Sequence, residues 1–196
     1  MKIVSFYTKN TGYQKEIKKL ELSIKKTEHE IYVEGIKSMG SWDLNTKYKP
    51  FLILNAMKKY PEEDYFLFLD ADAIVNKKIP MEDISGDIAV CHKAIESKKQ
   101  KGWLLSGTVF IKNNDKMKNI MYEWIKINEK NPKTFDQDTL YTVLKNNFEE
   151  IEIQRLSLKY CKINGSKNSV HKKVKDPIIS HNQASRRLKG KVNGKK

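Results

Sequence analysis

Scarce cysteine and short apolar runs set the first limits on this protein. Its two cysteines, Cys91 and Cys161, are 70 positions apart and have neither a Cys-x-x-Cys partner nor a zinc-type histidine spacing. This excludes a disulfide framework and a structural zinc site. No apolar run approaches the roughly 20 residues that a membrane-spanning helix needs. Residues 1–8 also lack the long apolar region of a signal peptide, so we predict a cytoplasmic protein.

Glycine-rich phosphate loops are absent as well. The nine glycines form neither a P-loop nor a Gly-x-Gly-x-x-Gly motif, which excludes two common classes of nucleotide-binding protein. The 196 residues suffice for one core that buries roughly 70% of the unfolded chain's surface, and they are few for two domains. We predict one domain over residues 1–190 and a basic tail over residues 191–196.

Positive charge is concentrated near the C-terminal end. Residues 155–196 contain 13 Lys and Arg against one acid, Asp176, and so carry +12 of the whole chain's net charge of +14. The preceding 154 residues hold the remaining +2. This asymmetry indicates an anionic partner, which is a nucleic acid, an anionic membrane surface or a phosphate-bearing ligand.

Hydrophobic periodicity alternates between strand and helix patterns along the chain. Strands are predicted at residues 2–8, 30–33, 65–69, 87–91, 104–111, 151–156 and 177–181. Helices are predicted at residues 14–27, 48–59, 117–125 and 136–146, with a loop at residues 40–43. The alternation predicts an α/β fold, a mostly parallel central sheet flanked by helices.

The most apolar segment, FLFLDADAIV at residues 66–75, contains two acids. Unpaired carboxylates next to a core would cost several kcal/mol, so something must compensate Asp70 and Asp72. In an open α/β sheet the ligand crevice lies beyond the carboxyl ends of the strands, where these two residues fall. With the small Ala71 between them, they can converge on one Mg²⁺ or Mn²⁺ ion. The alternative is that both are exposed turn acids capping the next element.

Further motifs follow this segment: Pro80, Leu-Ser-Gly-Thr-Val-Phe-Ile at residues 105–111, Asp-Gln-Asp-Thr-Leu at residues 136–140, and His181. Together they resemble the GT-A fold glycosyltransferases, which have a Rossmann-like domain. Within these the chain is most similar to the retaining enzymes of family 8 and related nucleotide-diphospho-sugar transferases. The resemblance covers the chain from Met1 to about Lys189.

The resemblance implies roles for particular residues. Asp70, Asp72 and His181 would hold Mn²⁺ or Mg²⁺ against the diphosphate of a nucleotide sugar, most simply a UDP-sugar. Gln137, with Asp136 or Asp138, would face the anomeric carbon. Relatives often carry Asn-x-Gly where this chain has Ser106-Gly107, and His-x-x-Gly-x-x-Lys where His181 is followed by residues 182–189.

Arginine is rare here, since only Arg155, Arg186 and Arg187 occur among 38 basic residues. A pair of arginines just after His181 suggests a planar fork for phosphate, so we predict that Arg186, Arg187 and Lys189 brace the diphosphate. A surface pair on a basic tail is the alternative. The other predicted donor-binding residues are Phe6, Tyr7, Thr8, Lys49, Ala71, Ser106 and Gly107.

Three hypotheses for the function differ in the molecule on which the protein acts. The first is a hydroxylated base in DNA, such as phage DNA, with the basic segment contacting phosphates and the base flipped out to reach the sugar. The second is a surface glycan or lipid-linked saccharide, with the basic segment lying against anionic lipid. The third, from another class, is a nuclease or nucleotidyltransferase in which Asp70, Asp72 and Asp138 hold two metals.

Overall fold

The computed structural model describes residues 1–93, 95 and 102–192, with the backbone alone for residues 189–192. Its strands are β1 Lys2–Thr8, β2 Glu30–Ile36, β3 Tyr65–Leu69, β4 Ala73–Val75, β5 Ile88–Lys93, β6 Trp103–Lys112, β7 Ile153–Arg155, β8 Lys162–Ile163 and β9 Ile179–His181. Its helices are α1 Tyr13–Ile24, α2 Trp42–Thr46, α3 Lys49–Lys59, α4 Asp115–Lys130, α5 Asp136–Asn146, α6 Ser169–Lys172 and α7 Ala184–Val192. None of the helices in this described part is long and apolar enough to cross a membrane.

The main sheet has six strands in the order β2-β1-β3-β6-β5-β7. The pairs β1/β2, β1/β3 and β5/β7 are parallel, whereas β6 runs antiparallel to both β3 and β5. The prediction of an α/β fold with a mostly parallel sheet is therefore confirmed. β7 lies at the edge, as predicted, and β1, β3 and α5 have the predicted limits.

Helices or a second sheet cover both faces of the main sheet. Phe66 and Phe68 of β3 pack on one face against α3, α4 and α5, and both are fully buried. Leu67 and Leu69 pack on the other face against α1 and the second sheet. This two-sided burial explains why the sequence of β3 is apolar throughout instead of alternating.

The second sheet, of order β4-β9-β8, was not predicted from the sequence as a separate element. Its strands have two or three residues, which is too short for a periodic pattern to appear. β4 and β9 are antiparallel, and Ala73 pairs with His181. This pairing brings the C-terminal His181 beside the acids that follow β3.

Three helices, α2, α6 and α7, were not predicted from the sequence, and several element lengths differ from the predictions. The loop predicted at residues 40–43 is wrong at Trp42 and Asp43, which begin α2; the Ser41 side chain caps this helix by accepting from the Leu44 N–H at 3.2 Å. α7 crosses the predicted domain limit at residue 190, and residues 193–196 lie outside the described residues. α1 ends at Ile24, before the predicted residue 27, and β2 continues to Ile36.

Trp124 on α4 offers a direct test of this core. It is fully buried, and its Nε1 donates to Thr139 Oγ1 at 3.0 Å. We expect Trp124→Ala to lower the free energy of unfolding by about 3–5 kcal/mol, because a large cavity remains and Thr139 Oγ1 loses one hydrogen-bond donor. Tyr122→Ala, at a 43% exposed position of the same helix, should cost about 1 kcal/mol or less. Urea unfolding followed by circular dichroism measures both, and equal losses would contradict the described packing.

Candidate active site

A cleft of about 250 Å³ lies where β1 and β3 end. The cleft therefore lies beyond the carboxyl ends of parallel strands, where the sequence predicted a ligand crevice. Most of the predicted site residues line it: Phe6, Tyr7, Thr8, Lys49, Asp70, Ala71, Asp72, Ser106, Gly107, Asp136, Gln137 and His181. They come from six separate parts of the chain, so the fold brings together residues that are far apart in the sequence.

Asp70, Asp72 and His181 form one cluster. Each offers a ligand atom, and these atoms all lie within 4.8 Å of one another. The turn after β3 is held by the Asp70 N–H, which donates to the Gly107 carbonyl at 2.9 Å. On the opposite side, the N–H of Ala184, the first residue of α7, donates to Asp72 Oδ2 at 2.6 Å. The two acids are thus fixed by the main sheet and by the C-terminal helix.

The hydrogen bonds around His181 assign its tautomer. Thr108 Oγ1 donates its single proton to the Tyr160 carbonyl at 2.9 Å. It therefore accepts from His181 Nε2, which lies 2.8 Å away. The other ring nitrogen, Nδ1, lies 3.7 Å from Asp72 Oδ1. A histidine held by a hydrogen bond at one ring nitrogen, with the other nitrogen directed to carboxylates, has the usual arrangement of a metal-ligating histidine.

The charge state of Asp72 also suits a cation. Burial favours a higher pKa, but His181 and the N–H of Ala184 outweigh it and lower the pKa of Asp72 below its usual value. The carboxylate therefore stays ionised at neutral pH. Two ionised or ionisable carboxylates and one imidazole nitrogen are a donor set that Mn²⁺ and Mg²⁺ accept.

Lys49 lies between the two acidic motifs. Its Nζ is 3.0 Å from Asp70 Oδ1 and 2.7 Å from Asp136 Oδ2, and its side chain is 3% exposed. Burial opposes the charge, but Asp136 and Asp70 raise the pKa of Lys49 above its usual value. The sequence suggested that Lys49 reaches a phosphate; in this structure it is the internal counter-ion that joins β3 to α5.

Ser106 and Gly107 support this arrangement from β6. Ser106 Oγ donates to Asp136 Oδ2 at 2.8 Å and accepts from Lys49 Nζ at 3.0 Å. A Cβ on Gly107 would lie 2.9 Å from Asp70 Oδ2 and 3.0 Å from His181 Cε1. Glycine is needed here because any side chain would occupy the space next to the ligand atoms.

Asp138, Arg186 and Arg187 do not line the cleft. Asp138 is exposed in the first turn of α5, whereas Asp136 is buried there. In α7 the buried positions are Ala184 and Leu188, so the two arginines between them point outward. Arg187 instead lies 3.3 Å from Glu16 Oε1 of α1. The predicted contacts of these arginines with a diphosphate therefore have no support in the geometry, and the Lys189 side chain lies outside the described residues.

Sequence reasoning missed several residues of the cleft wall. They are Tyr13, Trp42, Asn45, Thr46, Gln183 and Ser185. Trp42 Nε1 donates to the Tyr13 hydroxyl at 2.9 Å, and burial raises the pKa of Tyr13, which remains a neutral phenol. The Ser41 cap could have revealed α2 and with it three of these residues, but nothing in the sequence aligned α7 with the cleft.

Solved structures with a similar fold are glycosyltransferases. A glycosyltransferase involved in the glycosylation of the major capsid of PBCV-1 has a TM-score of 0.69 and 18% identity, over 92% of this chain and 93% of that one. GlyE of Streptococcus pneumoniae TIGR4 has a TM-score of 0.61 and 16% identity, over 92% of this chain and 54% of its own. The galactosyltransferase LgtC has a TM-score of 0.58 and 14% identity, over 93% and 87%. The fold is thus that of the GT-A glycosyltransferases.

Residues 64–194 match the nucleotide-diphospho-sugar transferase family. The chain belongs to this family, which confirms the predicted enzyme class, a glycosyltransferase that uses nucleotide sugars. No curated protein sequence matches this chain. The family match includes both acidic motifs and His181.

Lys49→Met tests the role of the internal counter-ion. Without the ammonium group, the carboxylates of Asp70 and Asp136 face each other unpaired, so we expect a loss of about 3–5 kcal/mol of stability. Mn²⁺ should restore more stability to this variant than to wild type, because it supplies positive charge to Asp70. Thermal unfolding with and without MnCl₂ measures both effects.

Lys47→Met is the matched control. Lys47 is also buried, but its Nζ donates to the Asn131 and Thr134 carbonyls, at 2.7 and 2.9 Å, and not to a carboxylate. It should lose stability without the extra Mn²⁺ response. Equal Mn²⁺ responses in the two lysine variants would show that Lys49 does not neutralise the acidic cluster.

Proposed function

We propose that this protein transfers a sugar from a nucleoside-diphosphate sugar, with UDP as the nucleotide, to a hydroxyl acceptor in a reaction that depends on a divalent cation. The observation that carries the proposal is the convergence of Asp70, Asp72 and His181 within 4.8 Å, in the cleft of a nucleotide-diphospho-sugar transferase. The absence of a side chain at Gly107, next to Asp70 Oδ2 and the His181 ring, and the position of His181 Nδ1 3.7 Å from Asp72 Oδ1 are consistent with a cation there.

Asp70, Asp72 and His181 Nδ1 are the residues that would hold Mn²⁺ or Mg²⁺. When bound, the cation supplies positive charge that stabilises the departing diphosphate. Phe6, Tyr7 and Thr8, at the end of β1, border the side of the cleft proposed for the base and ribose. Gln183 and Ser185, next to the start of α7, line the cleft, and we assign them to the diphosphate side in place of the predicted arginines.

Asp136 and Gln137 are proposed to face the anomeric carbon. Lys49 and Ser106 both contact Asp136 Oδ2, so this carboxylate is fixed in one orientation. Gln137 lines the cleft one residue later, at the N-terminal turn of α5. Fixed polar groups at this position stabilise charge that develops on the sugar as its bond to the diphosphate breaks.

Asp70→Asn tests the proposed cation site. We expect loss of at least about a hundredfold in turnover of a UDP-sugar with Mn²⁺, because a neutral amide binds the cation poorly. The fold should persist, because Asp70 is at the cleft surface with a side chain that is 39% exposed. Asp115→Asn, at an exposed position of α4, is the matched control and should keep full activity. Wild-type turnover by the Asp70→Asn enzyme would contradict the proposal that Asp70 holds the cation.

DNA carrying hydroxylated bases is the first proposed acceptor, supported by the charge of the C-terminal segment. The exposed lysine and arginine residues of this segment are Arg155, Lys159, Lys167, Lys172, Lys173, Lys175, Arg186 and Arg187. Asp176 is the segment's single acid, so a phosphate backbone meets little repulsion there.

A glycan acceptor is the second candidate, and a different observation favours it. One solved structure that is similar over 92% of this chain is a glycosyltransferase involved in the glycosylation of the major capsid of PBCV-1. The nuclease hypothesis loses its basis, because it needed Asp138 beside Asp70 and Asp72, and Asp138 does not line the cleft.

Salt dependence separates the two acceptors. If about six phosphates are neutralised, affinity for duplex DNA should fall roughly a thousandfold between 50 and 200 mM salt. The double variant Lys172→Glu/Lys173→Glu should weaken binding further, whereas Lys25→Glu/Lys26→Glu, at exposed lysines outside the segment, should weaken it less. Fluorescence anisotropy with hydroxymethylated DNA measures this. Absence of binding at 50 mM salt would exclude DNA and leave the glycan.

A further inference from the structure

Asn45 on α2 has a buried donor with no partner. The residue is 4% exposed and lies on the wall of the cleft. Its Oδ1 accepts from the Met39 N–H at 2.7 Å, which fixes the orientation of the amide. The Nδ2 atom is then the remaining polar atom of the side chain, and it is buried without a hydrogen-bond partner.

An unpaired buried donor costs about 1–3 kcal/mol, so a residue that keeps one needs an explanation. Among the described residues with such an unpaired side-chain atom, Asn45 is the one that lines the cleft. Asn128 shows the contrast, since its Nδ2 is also buried and unpaired but its side chain lies outside the cleft wall. Because Asn45 lies on the cleft wall, a ligand in the cleft is the candidate partner for its Nδ2 donor.

The contacts of α2 show which end of the cleft Asn45 faces. The Trp42 ring meets the Phe135 ring edge-on at a centroid distance of 6.4 Å. Lys47 Nζ holds the carbonyls of Asn131 and Thr134, in the segment that leads into α5. Residues on both sides of Asn45 thus contact the segment just before Asp136, so Asn45 lies on the wall next to the residues proposed to face the anomeric carbon.

We propose that Asn45 Nδ2 donates a hydrogen bond to a hydroxyl oxygen of the sugar being transferred, once the neighbouring side chains move to admit it. The proposal rests on the proposed function, and it adds a residue that selects the donor sugar. Sugar hydroxyls are acceptors as well as donors, so they match an amide N–H. A site built to bond one hydroxyl discriminates against sugars that lack it or orient it differently.

The test compares a nucleotide with and without its sugar. Affinities for UDP, UDP-glucose and UDP-galactose, each with Mn²⁺, are measured by calorimetry for wild type and Asn45→Asp. Asp keeps the acceptor for the Met39 N–H and removes the donor. We expect UDP affinity to stay within about twofold, and affinity for the preferred UDP-sugar to fall about tenfold, the effect of one lost hydrogen bond.

Two further variants guard this result. Asn45→Leu removes the donor without adding charge, but it also removes the acceptor of the Met39 N–H, so its UDP affinity checks that the cleft stays intact. With UDP affinity kept, its loss of UDP-sugar affinity should match that of Asn45→Asp. Asn128→Asp makes the same chemical change at a buried amide outside the cleft wall and should leave both affinities unchanged.

The outcomes separate the two proposals. Selective loss of UDP-sugar affinity in both Asn45 variants supports the role of Asn45. Wild-type affinity for UDP-sugars in either variant, or equal losses for UDP and UDP-sugars, overturns that role while the proposed function stands. Failure of the wild-type protein to bind any of the three nucleotides with Mn²⁺ overturns both.

Discussion

The ion pairs of Lys49 are the interaction on which the rest of the site depends. One buried ammonium group lies within 3.0 Å of Asp70 and 2.7 Å of Asp136, and these acids belong to motifs 66 positions apart. Without it, the two carboxylates would lose their shared counter-ion at the edge of the core, at a cost of about 3–5 kcal/mol to a marginally stable domain. With it, the sheet and α5 are fixed relative to each other before any ligand binds.

The antiparallel pairing of β4 with β9 provides the second constraint. It pairs Ala73 with His181 and so places His181 next to Asp72. The first residue of α7, Ala184, then donates its N–H to the Asp72 carboxylate. The C-terminal region is therefore part of the site and not only a charged extension. Thr108 completes the arrangement by holding His181 Nε2, which leaves Nδ1 directed to the acids. Preorganised ligands of this kind bind a cation without reorganising the protein.

The sequence allowed prediction of what depends on local pattern. The apolar run of β3, the acids after it and the helix from Asp136 follow from periodicity and composition within a few residues. Contacts between distant segments did not follow. No local sequence pattern distinguishes Lys49 from the other lysines. The outward direction of Arg186 and Arg187 depends on α7, and the sequence of that helix contains glycine and several lysines, so no helix was predicted there. Helical spacing did contain one unused signal: Asp136 lies on the face of buried Leu140 and Val143, and Asp138 does not.

The central claim is that Asp70, Asp72 and His181 hold one divalent cation. Crystals grown with UDP and MnCl₂, measured at the manganese absorption edge, test it most directly. We expect one strong anomalous peak, with Asp70, Asp72 and His181 Nδ1 about 2.0–2.3 Å from it and UDP phosphate oxygens completing the coordination. UDP bound without a peak at these three residues, or a peak at Asp138 instead, would contradict the account.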